Sequence, residues 1–161
     1  MTNKSIDKLA GETALEICRG EDCDGKLDID SLDTLSTKAL GVLQEQGVYA
    51  MIVFLFSRSG NEKLADYLKN PKKNNKKISA IQLVKGLVNS LEKEPVQALE
   101  VQFEEKLNGN LNEKKQKLLQ HFLDKISIDL ESLLFVKEFY EQTLIYVRHI
   151  AKGMKNESKN E

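Results

Sequence analysis

A run of nine consecutive apolar residues, Val48 to Phe56, constrains the fold of this chain more than any other feature. A helix needs about 20 apolar residues to cross a bilayer, so this run is too short to span a membrane. It must therefore be buried in protein, and a helix that is apolar on every side is surrounded by other helices. Because the run lies inside a longer helix-like segment, residues 30–57, we predict a central helix covered by amphipathic neighbours.

The rest of the chain is suited to supply those neighbours. Its 161 residues are 40% hydrophobic and 30% charged, which is typical of one soluble domain with a core of its own. No stretch alternates for long enough to predict a strand. We therefore predict an all-α, single-domain helical bundle of about six to seven helices around the central apolar helix. The domain is expected to cover residues 1–155, with a disordered tail at residues 156–161.

Apolar periodicity and helix-breaking residues predict where these helices lie. The predicted segments are residues 5–19, 30–57, 61–69, 79–91, 94–107, 112–126 and a last helix that ends near residue 154. Asp30 or Ser31 is expected to cap the second helix, and Ser127 or Asp129 the last one. Gly41 and Gly47 interrupt the second helix, and we expect a neighbouring helix to approach closely there. Residues 20–30, 70–77 and 108–110 are predicted to be loops.

The acidic loop at residues 20–31 resembles a calcium-binding loop only in part. If Gly25 takes the sixth position, Asp22, Asp24 and Asp28 fall at the third, fifth and ninth positions. The first and twelfth positions, which require acids, hold a glycine and a serine. No calcium site is therefore predicted.

The sequence shows no complete set of residues for a zinc site or for catalysis. Cys18 and Cys23 would need two further ligands to bind zinc, and the histidines, His121 and His149, lie far along the chain and apart from each other. Neither an activated nucleophile with its base nor a glycine-rich phosphate loop is recognisable. We predict no cofactor, no metal and no enzymatic activity. Because the first thirty residues hold no sustained apolar stretch, we expect no secretory signal and a cytoplasmic protein with reduced thiols.

Charge is unevenly distributed although the net charge is only −1. Residues 1–57 carry 5 basic and 10 acidic side chains, residues 58–93 carry 9 and 3, and residues 94–161 carry 10 and 12. Such separation favours ordered head-to-tail assembly or the binding of a polyanion on one side. The alternative is a set of solvated faces of mixed sign.

Seven cations are the candidate RNA-binding residues. Four lie in the predicted basic loop and three on one edge of the last helix: Lys72, Lys73, Lys76 and Lys77, then Lys137, Arg148 and Lys152. A helical projection places the latter three within about 60° of one another, with Lys155 and also Glu141 nearby. Lysines contact phosphates without sequence preference, and no aromatic residue interleaves the loop lysines to stack on bases.

Two segments of the chain resemble a known protein family. Residues 43–58 hold a glycine at their middle, then apolar residues with Phe54-Leu55, and end in a small residue and a cation, Ser57-Arg58. Residues 135–154 hold an aromatic–apolar pair, cations, an apolar residue followed by alanine, and a terminal methionine. These patterns, over about 35 of the 161 residues, resemble the small all-helical subunit of the type III-B (Cmr) CRISPR effector complex, the Cmr subunit five family.

The resemblance implies a non-catalytic protein of antiviral defence. Members stack as a short filament of their own copies along the guide RNA and target RNA, beside the backbone subunit and other effector subunits, with no membrane contact. Arg148 matches the family's closing-helix cation, whereas Tyr146 and His149 stand where the family often has tryptophan and a second cation. We expect the acidic segment 20–33 to face a neighbouring subunit. The alternatives are the small subunit of the related type III-A (Csm) complex and a helical protein–protein adaptor without nucleic acid.

Overall fold

The protein is an all-α bundle. The structure, a computed structural model, describes residues 5–105, 107 and 111–159, and within them it contains seven α-helices and no strand. The helices are α1 (Ile6–Arg19), α2 (Ile29–Gln46), α3 (Val48–Ser59), α4 (Leu64–Tyr67), α5 (Asn75–Asn89), α6 (Leu111–His121) and α7 (Leu130–Lys159). The predicted fold class is confirmed. The predicted turn at residues 108–110 lies outside the described residues.

The bundle is organised around two helices. The long α7 packs against α1 and α2, whereas α5 packs against α3, α2 and α1. Nearly every side of α5 is covered, and its buried residues run almost without interruption from Ile78 to Val88. The hydroxyl of Tyr140 on α7 donates to the carbonyl oxygen of Leu87 on α5 at 2.9 Å, which joins the two halves of the core.

Local capping signals define several helix ends. Ser5 Oγ accepts from the N–H of Lys8 at 3.1 Å, and Gly20, with φ of 56°, ends α1, as predicted. Asp129 caps α7, and its hydrogen bonds from Ser132 lower the pKa of the Asp129 carboxyl. The predicted cap of α2, Asp30 or Ser31, is wrong, because the cap is Asp28, whose Oδ2 accepts from the N–H of Ser31 at 3.1 Å.

The single helix predicted over residues 30–57 is wrong, because the chain breaks at Gly47. Gly47 has φ of 101° and ψ of −177°, outside the helical region, and α3 starts at the next residue. The close helix approach expected at Gly41 and Gly47 is also wrong, since a Cβ atom at either glycine would meet nothing within 4 Å. Gly47 is used for its backbone conformation, which other residues rarely adopt.

The apolar run enters the core with one face only. Val48, Met51, Ile52 and Leu55 are buried, but Val53 is 41% exposed. The expectation that α3 is covered on every side is therefore wrong, and α5 is the helix that comes nearest to full burial.

The helix predicted over residues 94–107 is absent. A 3₁₀ turn at Val96–Leu99 is followed by Glu100 with φ of 54°, which ends any helical path. The irregular residues that follow bury Val101 and Phe103. The core here is filled by two side chains from a non-helical segment rather than by one face of a helix.

Further boundaries differ from the predicted ones. The helix predicted over residues 61–69 shortens to α4, and the one predicted over 79–91 begins four residues earlier, at Asn75. A π turn at Phe122–Ile126 continues from α6. The last helix extends past Met154 to Lys159, so the first four residues of the predicted disordered tail, 156–159, are helical, whereas residues 160–161 lie outside the described residues.

Candidate nucleic-acid interface

The seven predicted contact residues occupy two separate elements. Lys137, Arg148 and Lys152 lie on α7, as predicted. The other four flank the start of α5: Lys72 and Lys73 are exposed in the preceding turn, whereas Lys76 and Lys77 belong to the first helical turn. The predicted loop 70–77 is therefore shorter, and two of its lysines are held on a helix.

The orientation of α7 is determined by its core face. Phe139, Tyr140, Leu144, Val147 and Ala151 are fully buried. Burial raises the pKa of the Tyr140 hydroxyl, which stays neutral and hydrogen-bonded. Because this face is anchored in the core, the basic edge of α7 has a fixed direction at the boundary between protein and solvent.

Two cations near this edge are already engaged by carboxylates. The Nζ atom of Lys137 lies 4.0 Å from Oε1 of Glu141. Lys155 lies 2.8 Å from both Asp30 and Asp33 at the start of α2, and these hydrogen bonds raise the pKa of Lys155. The positive charges of both lysines are therefore partly neutralised within the chain, and they would attract an outside anion less strongly.

Arg148 and Lys152 make no such pairs with the residues that the structure describes. Arg148 is half-buried, and its Nε lacks any hydrogen-bond partner there. Lys152, one turn further on, is exposed. These two cations are the part of the predicted edge that remains available to a phosphate.

The lysines around the start of α5 face different surroundings. Lys77 Nζ lies 5.2 Å from the centroid of the Tyr67 ring, a cation–π contact. Lys76 instead lines a cavity of about 240 Å³ formed by α2, α3 and α5. None of the α7 cations up to residue 157 lines this cavity, so the structure does not unite the two predicted groups in one site.

Lys38 and Arg58 line the same cavity as Lys76, and sequence reasoning did not select them as contact residues. Lys38 is a single lysine on an amphipathic helix and has no distinguishing signal. Arg58 lies two residues after the end of the apolar run, and this position was the one available hint. The side chain of Arg58 lies over the Phe54 ring, with 5.1 Å from Cζ to the centroid.

The acidic segment is largely paired within the chain. Asp22 forms an ion pair with the buried Lys85, Asp28 caps α2, and Asp30 and Asp33 bind Lys155. Nowhere in residues 5–105, 107 and 111–159 do three or more His, Cys, Asp or Glu side chains form a group that could hold a metal. These carboxylates therefore act as helix caps and ion-pair partners in this structure.

Both cysteines are buried and unlinked. Cys18 Sγ lies 3.7 Å from the carbonyl oxygen of Val147, and Cys23 Sγ lies 3.7 Å from Gln82 Oε1. Burial raises the pKa of Cys18 to about 12, and burial together with the nearby Asp22 raises the pKa of Cys23 to about 11. Thiolate chemistry is disfavoured at both positions because the neutral thiol persists.

His121 is held by packing. Its Nε2 lies 2.6 Å from the carbonyl oxygen of Val101, and its ring meets Phe103 edge to face at 5.4 Å. It lines a cavity of about 660 Å³ whose other walls include Glu100, Glu104 and Asp124. With Glu105 the wall holds four carboxylates against two lysines, Lys117 and Lys125, so its net charge is negative and does not favour a phosphate.

Comparisons of the chain with models of protein families, with curated proteins and with solved structures found no match. Among the described helices, none has the length and hydropathy needed to cross a membrane.

Proposed function

We propose that the protein is a non-catalytic small subunit of a cytoplasmic type III-B (Cmr) CRISPR ribonucleoprotein complex, in which the edge of α7 contacts the guide–target RNA duplex. The observation that carries this proposal is the pair Arg148 and Lys152, two cations without a carboxylate partner among the described residues, on a helix anchored in the core. The resemblance of residues 43–58 and 135–154 to the Cmr subunit five family supports it.

The geometry favours contact with the RNA backbone. Arg148 and Lys152 lie one helical turn apart, about 6 Å along the axis, so both can contact one strand. Tyr146 is two residues from Arg148 and therefore lies on another side of α7, where its hydroxyl is bound to Asp7. Recognition through the two cations would depend on phosphate charge, and its strength would fall with salt.

A second surface fits the proposed assembly with other subunits. Ile128, Leu130 and Leu134, at the start of α7, are 77%, 69% and 56% exposed. Leu130 and Leu134 are four residues apart and share one helix face. Exposed apolar clusters of this kind mark protein contacts, here with the backbone subunit or with another copy of the chain.

The RNA contact is tested by reversing both charges, as Arg148→Glu with Lys152→Glu. Binding of a double-stranded RNA by the full chain should weaken, and the slope of log affinity against log salt should fall by about two, one for each phosphate that the variant no longer neutralises. A matched control is Arg19→Glu with Lys125→Glu, an exposed arginine and an exposed lysine on other elements. The control should keep most of the slope, and both variants should keep the helical circular dichroism spectrum.

An unchanged affinity and slope in the α7 variant would show that the edge is only solvated. A helical protein–protein adaptor would then be the better proposal, and the exposed apolar side chains at the start of α7 favour it independently. Assembly with the proteins of a type III-A (Csm) complex instead would assign the chain to that related complex.

A further inference from the structure

We propose that Lys38, Arg58 and Lys76 form a binding site for a phosphate group at the junction of α2, α3 and α5. Each of the three cations comes from a different helix, and all three line one cavity of about 240 Å³. The site is separate from the edge of α7, and the inference does not depend on the proposed function.

The three cations are available to a ligand. Within the part of the chain that the structure describes, none of them forms an ion pair or a hydrogen bond. Arg58 is positioned by its stacking on Phe54, which leaves the N–H groups of the guanidinium free. Three cations against two carboxylates give the cavity wall an excess of positive charge, which a bound anion would reduce.

The two carboxylates in the cavity wall are already engaged. Asp28 Oδ2 accepts from the N–H of Ser31 at 3.1 Å and from Asn75 Nδ2 at 3.4 Å. Asp30 Oδ1 lies 2.8 Å from Lys155 Nζ. Asp28 keeps its negative charge because both of its donors are neutral, whereas the charge of Asp30 is shared with Lys155. The three cations therefore outnumber the carboxylates of the wall.

The remaining wall suits a small oxyanion. Ser31 and Thr34 contribute hydroxyl groups, and Leu35 contributes an apolar side chain. A guanidinium fork and two ammonium groups match the oxygens of a phosphate. The cavity is smaller than the pockets of about 300–1,000 Å³ that hold drug-sized ligands, so it fits a phosphate or the phosphate end of a larger molecule.

The start of α5 adds to this preference. Lys76 lies in the first turn, where the positive end of the helix dipole repels a cation, and no side chain caps this end. An anion bound beside Lys76 would interact favourably with both the ammonium group and the dipole.

The site is tested by titrating the isotope-labelled full chain with inorganic phosphate while recording backbone amide NMR shifts. Saturable shifts are expected at the residues that line the cavity. In the variant Arg58→Gln with Lys76→Gln, removal of two charged donors should weaken phosphate binding by about tenfold or more. The control Arg19→Gln with Lys125→Gln removes the same two side-chain types from exposed positions outside the cavity, and it should bind phosphate like the wild type.

Two short RNAs of one sequence, with and without a 5′-phosphate, identify the source of the phosphate. Cavity shifts with only the phosphorylated RNA would assign a terminal or free phosphate, and shifts with both would assign the RNA backbone. The variant Arg148→Glu with Lys152→Glu should keep its phosphate affinity, which separates this site from the α7 edge. Equal weakening in the Arg58/Lys76 variant and its charge-matched control, or no shift in the cavity, would overturn the proposal.

Discussion

Gly86 lets α5 approach α1 closely. A Cβ atom at this position would overlap Cγ1 of Ile17 and lie 2.7 Å from its Cδ1, and Ile17 is itself 1% exposed and cannot move aside. Gly41, in the middle of α2, is the opposite case, because a Cβ atom there would meet nothing within 4 Å. The same substitution should therefore have opposite effects at the two sites.

We predict that Gly86→Ala lowers the free energy of unfolding and that Gly41→Ala raises it. Overpacking costs about 1–3 kcal/mol, whereas replacing a helical glycine by alanine gains at most about 1 kcal/mol. At Gly41 the added methyl group meets no neighbour, so only the gain in helix propensity applies there. Urea denaturation of both variants measures the two changes. A Gly86→Ala variant as stable as the wild type would contradict the close contact with Ile17.

At the scale of elements, α3 divides its apolar run between core and surface. Ile52 is fully buried, and its neighbour Val53 is 41% exposed. We predict that Ile52→Asp unfolds the protein or makes it insoluble, because an unpaired buried charge costs several kcal/mol. The control Val53→Asp should remain soluble with a melting temperature close to that of the wild type. A soluble Ile52→Asp variant with an unchanged melting temperature would place this face of α3 at the surface.

At the scale of the whole molecule, one apolar core holds the described helices together. Among the described residues, no group of three or more His, Cys, Asp or Glu side chains could hold a metal. We therefore expect folding without metal. Far-UV circular dichroism should show a helical spectrum that is the same with and without a chelator. Substantial strand content, or a loss of helix on chelation, would contradict this expectation.

Local chemistry was sufficient to predict some of this fold. Ser5 caps the start of α1, and Gly20 ends the helix in a left-handed conformation. Both signals depend only on a few neighbouring residues, so they can be read from the sequence. The same holds for Asp129 at the start of α7. The all-α class followed from helical periodicity without any alternating stretch, and the basic edge of α7 followed from residue spacing alone.

Tertiary contacts decided the rest. The apolar run does not show that α5, rather than α3, is covered on nearly every side, because coverage depends on where the other helices pack. The helix predicted over residues 94–107 is absent because the chain turns at Glu100, and Val101 and Phe103 enter the core from an irregular segment. Lys38, Arg58 and Lys76 are far apart in the sequence and meet only when α2, α3 and α5 pack together. The sequence by itself determined the all-α class, some of the helix ends and the positions of the cations along the chain, because these depend on local chemistry. Packing determined where the remaining helices break, which cations share a cavity and which are neutralised.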